Sequence, residues 1–241
     1  MARLFHVSDL HFGRADKAAL DWFARSVREE RPDAVVVTGD LTMRARSAEY
    51  AAASEWLARL GVPLSIEPGN HDLPYFNPIK RIFAPYKRFQ RIEQALEKPL
   101  KIPGVWLVPL RTTARAQWRL NWASGIVSRK SLCEALRLLK ARPPGHVSIV
   151  MCHHPLVGSE DHGETLGGGE ALDALSRAGA CAVLSGHVHD AFDKHWPAGG
   201  GGVRLIGAGT LSERVRTTPP SYNELIVEGQ ELYVRMREMG A

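Results

Sequence analysis

The stretch Leu4-Phe-His-Val-Ser-Asp-Leu-His11 decides the fold: a run of strand character, Leu4 to Val7, empties directly into an aspartate and a histidine. The same arrangement recurs along the chain. Ala34 to Val37 reads as a buried strand and is followed by Gly39-Asp40. Val62 to Ile66 reads as a third, followed by Gly69-Asn70-His71-Asp72. Val147 to Met151 runs into His153-His154-Pro155, and Cys181 to Leu184 into Gly186-His187-Val188-His189. Five strands thus each deliver Asp, Asn or His at their carboxyl ends, the edge of an open α/β sheet where ligands bind.

The segments between these strands are helical in pattern. One helix carries Leu20, Trp22, Phe23 and Val27, and the next Tyr50, Trp56, Leu57 and Leu60. The stretch Ile79 to Leu96 is basic, and Ile79, Ile82, Phe83, Tyr86 and Phe89 recur at helical spacing, which predicts one amphipathic helix packed on the body. Val105 to Leu110 reads as a strand, and Leu132 to Leu139 and Ala171 to Leu175 as helices. Late in the chain Val203 to Gly207, Tyr222 to Val227 and Glu231 to Met236 read as strands joined by tight turns, with Glu228-Gly229-Gln230 as a hairpin connection. Gly199 to Gly202 is a turn, and His195 beside Trp196 falls in a late loop. No composition shift divides the chain, so residues 1–241 read as a single α/β domain whose sheet turns partly antiparallel.

Composition narrows the class. At 241 residues, 44% hydrophobic and 24% charged, the chain is large enough for a sizeable core and excludes a disordered or fibrous protein. No apolar run reaches the length of a membrane span, and the N-terminus lacks signal-peptide character, so no membrane partner is expected and the cytoplasm is the expected compartment. Three irregularly spaced cysteines, Cys133, Cys152 and Cys181, speak against a disulfide framework and a thiolate zinc site. The net charge of +5 is mild and spread out, suiting an enzyme that attracts anionic substrates.

The donors at the strand ends are oxygens and imidazole nitrogens without thiolate, a set suited to Mn, Fe or Zn. They are too many for one ion and enough for two. An aspartate between two ions can bridge them, one oxygen to each, and the paired charge lowers the pKa of a bridging water. Asp9-x-His11 and His187-x-His189 place ligands two apart, on one side of extended backbone. Glycines before Asp40, Asn70 and His187 allow tight turns and close backbone approach. Of the neighbours His153 and His154, only one faces the metals, since adjacent strand-end residues point opposite ways.

The series Asp9-x-His11, Gly39-Asp40, Gly69-Asn70-His71-Asp72, His153 and Gly186-His187-x-His189 resembles the calcineurin-like metallophosphoesterase superfamily. The resemblance implies a four-layer α/β/β/α sandwich with a dinuclear centre of divalent or trivalent transition-metal ions. It implies that Asp9, His11, Asp40 and His189 hold one ion, and Asp40, Asn70, His153 and His187 the other. Its pattern of a ligand histidine, one residue, then proline selects His153 over His154. It further implies in-line attack by a metal-bridging hydroxide, with His71, oriented by Asp72, donating a proton to the leaving oxygen.

Within the superfamily, Gly207-Ala-Gly-Thr210 and Ser221-Tyr222-Asn223 are similar to the class III cyclic-nucleotide phosphodiesterase branch. A small phosphodiester such as a cyclic nucleotide is therefore the expected substrate. A DNA or RNA nuclease is the alternative, supported by the basic stretch Lys80 to Arg91. A non-catalytic metal-binding scaffold ranks third, because every ligand and His71 are kept. Oligomeric state is left open. His6 reads as a core histidine, His146 as a surface one and Cys152 as a buried small residue. His162 sits in a glycine-rich loop that could line the pocket, and Arg14, Arg44 and Arg46 follow two of the motifs without distinguishing themselves from surface arginines.

Overall fold

The computed structural model describes residues 1–74, 77–98, 100–114, 123–158 and 165–240. Strands β1 (Ala2–Val7), β2 (Ala34–Thr38) and β3 (Leu64–Glu67) are linked by helices α1 (Lys17–Glu30) and α2 (Ser47–Arg59). Helices α3 (Pro78–Phe83) and α4 (Lys87–Leu96) lead to β4 (Val105–Pro109), α5 (Arg129–Lys140), β5 (Val147–Met151), α6 (Gly168–Arg177) and β6 (Ala182–Ser185). The chain ends in β7 (Phe192–Trp196), β8 (Val203–Gly207), β9 (Ser221–Glu228) and β10 (Glu231–Glu238). These strands form two five-stranded sheets, ordered β10-β9-β1-β2-β3 and β4-β5-β6-β8-β7. Strands β1 to β3 run parallel, as do β4, β5, β6 and β8, whereas β9, β10 and β7 are antiparallel additions.

Strand alternation produces the layers. On β1, Leu4 faces the second sheet while Phe5 and Val7 face α1 and α2. On β2, Val36 points inward, and Val35 and Val37 outward. Ile149, Met151, Leu184 and Ile206 supply the opposite inner face, and Val150, Val183 and Leu205 pack outward on α5 and α6. Full burial of each such side chain contributes about 1.5–3 kcal/mol. The expected four-layer α/β/β/α sandwich is the observed architecture.

One polar line crosses the inter-sheet layer. Asn223 Nδ2 donates to His6 Nδ1 (3.3 Å) and to the Gly207 carbonyl of the other sheet (2.9 Å), and His6 Nε2 meets Thr38 Oγ1 at 2.9 Å. Burial pushes the His6 pKa down to about 3 despite nearby Asp9, so the ring is neutral and works as a core bridge.

Two local expectations fail. Residues 192–196 are an edge strand paired antiparallel to β8, not a loop. Phe-Asp-Lys-His-Trp lacks a buried face because four of its five residues are exposed, and charge on an edge discourages further pairing. The basic stretch is two helices, broken at Ala84-Pro85, where the proline removes a backbone donor and disfavours helix at the residue before it. Phe89 and Ile92 are buried on α4, but Ile79 and Phe83 on α3 are 71% and 81% exposed. The register that would have buried all five apolar residues together is lost at the break.

Candidate metal centre

The strand ends of both sheets meet in one place. Pairing continues past the strands: Asp9 N–H donates to the Gly39 carbonyl (3.0 Å), His11 N–H to that of Asp40 (2.9 Å), and Gly186 N–H to that of His153 (2.9 Å). Asp9, His11, Asp40, His187 and His189 have φ of +56°, +45°, +53°, +72° and +63°. For residues with a Cβ this left-handed backbone costs roughly 1–2 kcal/mol each. Such strain persists where surrounding contacts over-determine it. Two glycines permit the convergence. A Cβ on Gly69 would lie 2.0 Å from Asp40 Oδ1, and one on Gly186 would lie 1.8 Å from Ser8 Oγ.

The side chains converge in two overlapping groups. In the first, Asp9 Oδ1 lies 3.1 Å from His189 Nε2 and 3.6 Å from His11 Nε2, and these two nitrogens are 3.1 Å apart. In the second, His153 Nε2 is 3.0 Å from Asn70 Oδ1, and His153, His154 and His187 bring one ring nitrogen each within 4.8 Å of one another. Asp40 joins them: its Oδ2 is 3.7 Å from His11 Nε2 and 3.5 Å from His153 Nε2. Asp40 Oδ1 accepts the His71 amide at 2.8 Å. Asp40 Oδ2 therefore faces a histidine of each group.

Several of these side chains are oriented by a backbone group behind them. Asp9 Oδ2 accepts the His187 amide (2.8 Å), leaving Oδ1 buried without a hydrogen bond of good geometry. The Nδ1 atoms of His153, His189 and His71 donate to the carbonyls of Thr38, Arg214 and Met43, each at 2.7 Å. This fixes the tautomer and turns Nε2 toward the cluster. Burial would raise the pKa values of Asp9 and Asp40, but the histidines around them hold both below the usual carboxylate range. Burial lowers His187 to about 3, with His153 adding to the effect. Burial also opposes charge on His189, yet its contacts with Asp9 more than reverse this and raise its pKa. Two ionised carboxylates, an amide oxygen and preset imidazoles form a donor set that fits two transition-metal ions.

All seven predicted ligands are thus in one cluster, and His71 is beside it: the His71 and His11 rings meet edge to face at 4.9 Å. The role given to Asp72 needs correction. Its buried carboxylate accepts from the Gly69, Leu41 and Thr42 amides and the Thr42 hydroxyl at 2.9–3.1 Å, and it is the Met43 carbonyl that orients His71. Asp72 ties the loop bearing Asp40 to the turn bearing Asn70 and His71. Its acidity follows: burial, with Asp40 nearby, pushes the carboxyl up to about 6. Both ring nitrogens of His154 are engaged elsewhere, with Thr112 Oγ1 and the Ala123 carbonyl at 2.9 Å each, so it forms part of the wall. Cys152 is buried, with its thiol directed at the His154 carbonyl. Within the basic stretch, Arg81 is buried and Arg88 Nη1 donates to the Ala45 carbonyl. His162 lies outside the described residues.

Sequence reasoning missed the groups that act from behind. Thr38, Met43 and Arg214 contribute carbonyls, which no side-chain pattern reveals. Arg214 also brings Nη1 to 3.3 Å from both His11 Nε2 and His71 Nε2. Thr210 donates its hydroxyl to the Asp9 carbonyl (2.7 Å), so the Gly207–Thr210 motif has a physical task here.

Residues 2–191 match the family described as Calcineurin-like phosphoesterase. The chain belongs to this family of phosphoric ester hydrolases. It is 40% identical over 93 residues to Glycerophosphodiester phosphodiesterase GpdQ of Enterobacter lignolyticus, across 32% of this chain and 33% of that protein. It is 26% identical over 176 residues to 3′,5′-cyclic adenosine monophosphate phosphodiesterase CpdA of Escherichia coli, across 68% and 57%. The chain thus spans between a third and three fifths of the length of these relatives. Among solved structures, a dimetal phosphatase from Danio rerio superposes with a TM-score of 0.70 at 14% identity, covering 98% of this chain and 96% of that one. The purple acid phosphatase of yellow lupin gives 0.64 at 14%, covering 98% and 51%. At these identities the structures attest the fold. Among the described residues, no helix is long and apolar enough to cross a membrane.

Proposed function

We propose that this chain is a dinuclear metal-dependent phosphodiesterase acting on small diesters, of the cyclic-nucleotide or glycerophosphodiester class. One ion would be held by Asp9, His11, Asp40 and His189, and the other by Asp40, Asn70, His153 and His187. The observation that carries the reading is Asp40 Oδ2, which faces a histidine of each group while its partner oxygen is tied to the His71 amide. Two such ions, of Mn, Fe or Zn, would when bound lower the pKa of a water and neutralise phosphoryl oxygens.

The protein's own groups do the rest. His71, its Nδ1 pinned by Met43, directs Nε2 into the space shared with His11, where it holds the proton handed to the departing alkoxide. Burial lowers the pKa of the free ring, and an anionic phosphoryl group beside it favours the protonated form. Arg214, donating toward the same space, orients a non-bridging phosphoryl oxygen. Residues 1–241 act as one domain in this reading, since β9 and β10 complete the sheet that contains β1. Three unpaired cysteines suit a reducing cytoplasm.

The test is turnover by Mn-reconstituted protein of bis-p-nitrophenyl phosphate, p-nitrophenyl phosphate, 2′,3′- and 3′,5′-cyclic nucleotides, glycerophosphodiesters and a short DNA duplex. Preference for the small diesters supports the proposal. Cleavage of DNA alone, or of the monoester alone, overturns it.

A further inference from the structure

A cleft of about 530 Å³ opens beside the centre, and its walls carry Arg14, Arg44, Arg46 and Arg214 against Glu49 and Glu213. Its lining is continuous with the catalytic groups. Met43, which pins His71, belongs to the wall, and Arg214 reaches from it to His11 and His71. The two carboxylates do not neutralise the four guanidiniums. Glu213 pairs with Arg14 at 3.4 Å. Glu49 Oε2 accepts the backbone amides of Arg44 and Arg46 at 2.8 and 3.1 Å, and so folds this loop with both residues in the cleft wall. Ala45 between them takes a left-handed φ of +52°, and its carbonyl is held by Arg88. The Arg214 segment is fixed as well: Glu213 N–H donates to the Arg14 carbonyl, and Asp190 accepts from the amides of Thr217 and Thr218. Among the described residues, the guanidiniums of Arg44, Arg46 and Arg214 have no carboxylate partner within 4.0 Å.

Guanidiniums in excess of carboxylates, on a backbone held in place and in a concavity touching the reaction site, match a phosphate in charge and in fork geometry. We propose that this cleft binds a second phosphate of the substrate, so that the preferred diesters carry a phosphate besides the one that is cleaved. This rests on the phosphodiesterase reading and narrows it. Arg14 is paired with Glu213, and Arg44 and Arg46 are the residues that select. Arg214 lies at the junction and serves both phosphates.

The matched probes are the p-nitrophenyl ester of thymidine 5′-phosphate and the same ester bearing a 3′-phosphate. The metal-loaded enzyme is expected to favour the second by on the order of tenfold in kcat/KM, mostly through KM. That preference shrinks with added salt and collapses in Arg44→Ala and Arg46→Ala. A parallel binding measurement by calorimetry compares thymidine 3′,5′-bisphosphate with thymidine 5′-phosphate, with the same preference and the same loss in both variants. Equal binding of the two nucleotides, or a preference that survives both substitutions, overturns the cleft assignment. Failure to hydrolyse either ester while the binding preference holds overturns only the phosphodiesterase reading.

Discussion

The two halves of the cluster differ in charge. The half made by Asp9, His11 and His189 has a carboxylate of its own, buried and tightly drawn to two imidazoles, and it shares Asp40. The half made by Asn70, His153 and His187 has an amide where the other has a carboxylate, and in the proposed assignment its anionic ligand would be the shared Asp40. Under the proposed assignment, equal numbers of ligands would thus carry unequal charge. The first half should retain its ion more tightly, and the second should exchange more readily and take its identity from supply. The halves are also interlocked, because the amide of His187 holds Asp9 and the amide of His71 holds Asp40.

Breaking the shared member should have the largest effect. Asp40→Ala removes a ligand from both halves and should lower turnover of bis-p-nitrophenyl phosphate by more than about 10³-fold, with both ions lost from metal analysis. Next come the members that belong to one half. Asn70→Ala should keep one ion per chain, that of the first half, whereas Asp9→Ala should weaken that same ion, so that dialysis leaves less than one ion per chain. Both should cost on the order of 10²-fold in rate, and identical metal contents in the two variants would remove the asymmetry. His71→Ala leaves all seven ligands in place. It should keep two ions and slow alkyl esters by about 10²-fold, but p-nitrophenyl esters far less, because that leaving group needs no proton. An equal loss on both ester types would deny His71 the acid's role.

Smaller effects separate support from chemistry. Thr210→Val removes the hydroxyl bond to the Asp9 carbonyl and should weaken metal binding in the first half by roughly tenfold. A comparison outside the centre is Glu67, buried at the end of β3 with Arg111 Nε 3.4 Å away. Burial pushes its carboxyl up to about 7, against the opposing pull of Arg111. A carboxyl whose folded pKa exceeds its unfolded one contributes stability below the unfolded value of about 4.5 and loses it as pH rises through 7. Arg111→Ala should push that folded pKa higher, so thermal unfolding should show a loss of about 3 kcal/mol at pH 8 and distinctly less at pH 5. Metal content should not change.

How much of this was legible in the chain depends on which atoms do the work. The ligands are side chains at strand ends, and the pattern of short apolar runs followed by Asp, Asn or His exposes each of them. The layered sandwich follows from the same runs. What orients the ligands is backbone: the carbonyls of Thr38, Met43 and Arg214 and the amides of His71 and His187 carry no residue-type signal. Asp72 stands next to His71 in sequence and invites pairing with it, yet the 3-10 turn over Asn70–Asp72 sends its carboxylate to the Leu41-Thr42 loop instead. Edge strand β7 was illegible because an edge needs no buried alternation. The break between α3 and α4 was legible in Pro85 but outweighed by a periodicity that Ala84-Pro85 interrupts.

The most direct test of the central claim is turnover of bis-p-nitrophenyl phosphate measured against the number of Mn ions bound per chain in metal-stripped protein. Two half-sites that share Asp40 predict near silence at one ion and activity that rises as the second binds, reaching its plateau at two. Full activity at one bound ion, or a plateau unrelated to the second, would contradict a dinuclear centre built on Asp40.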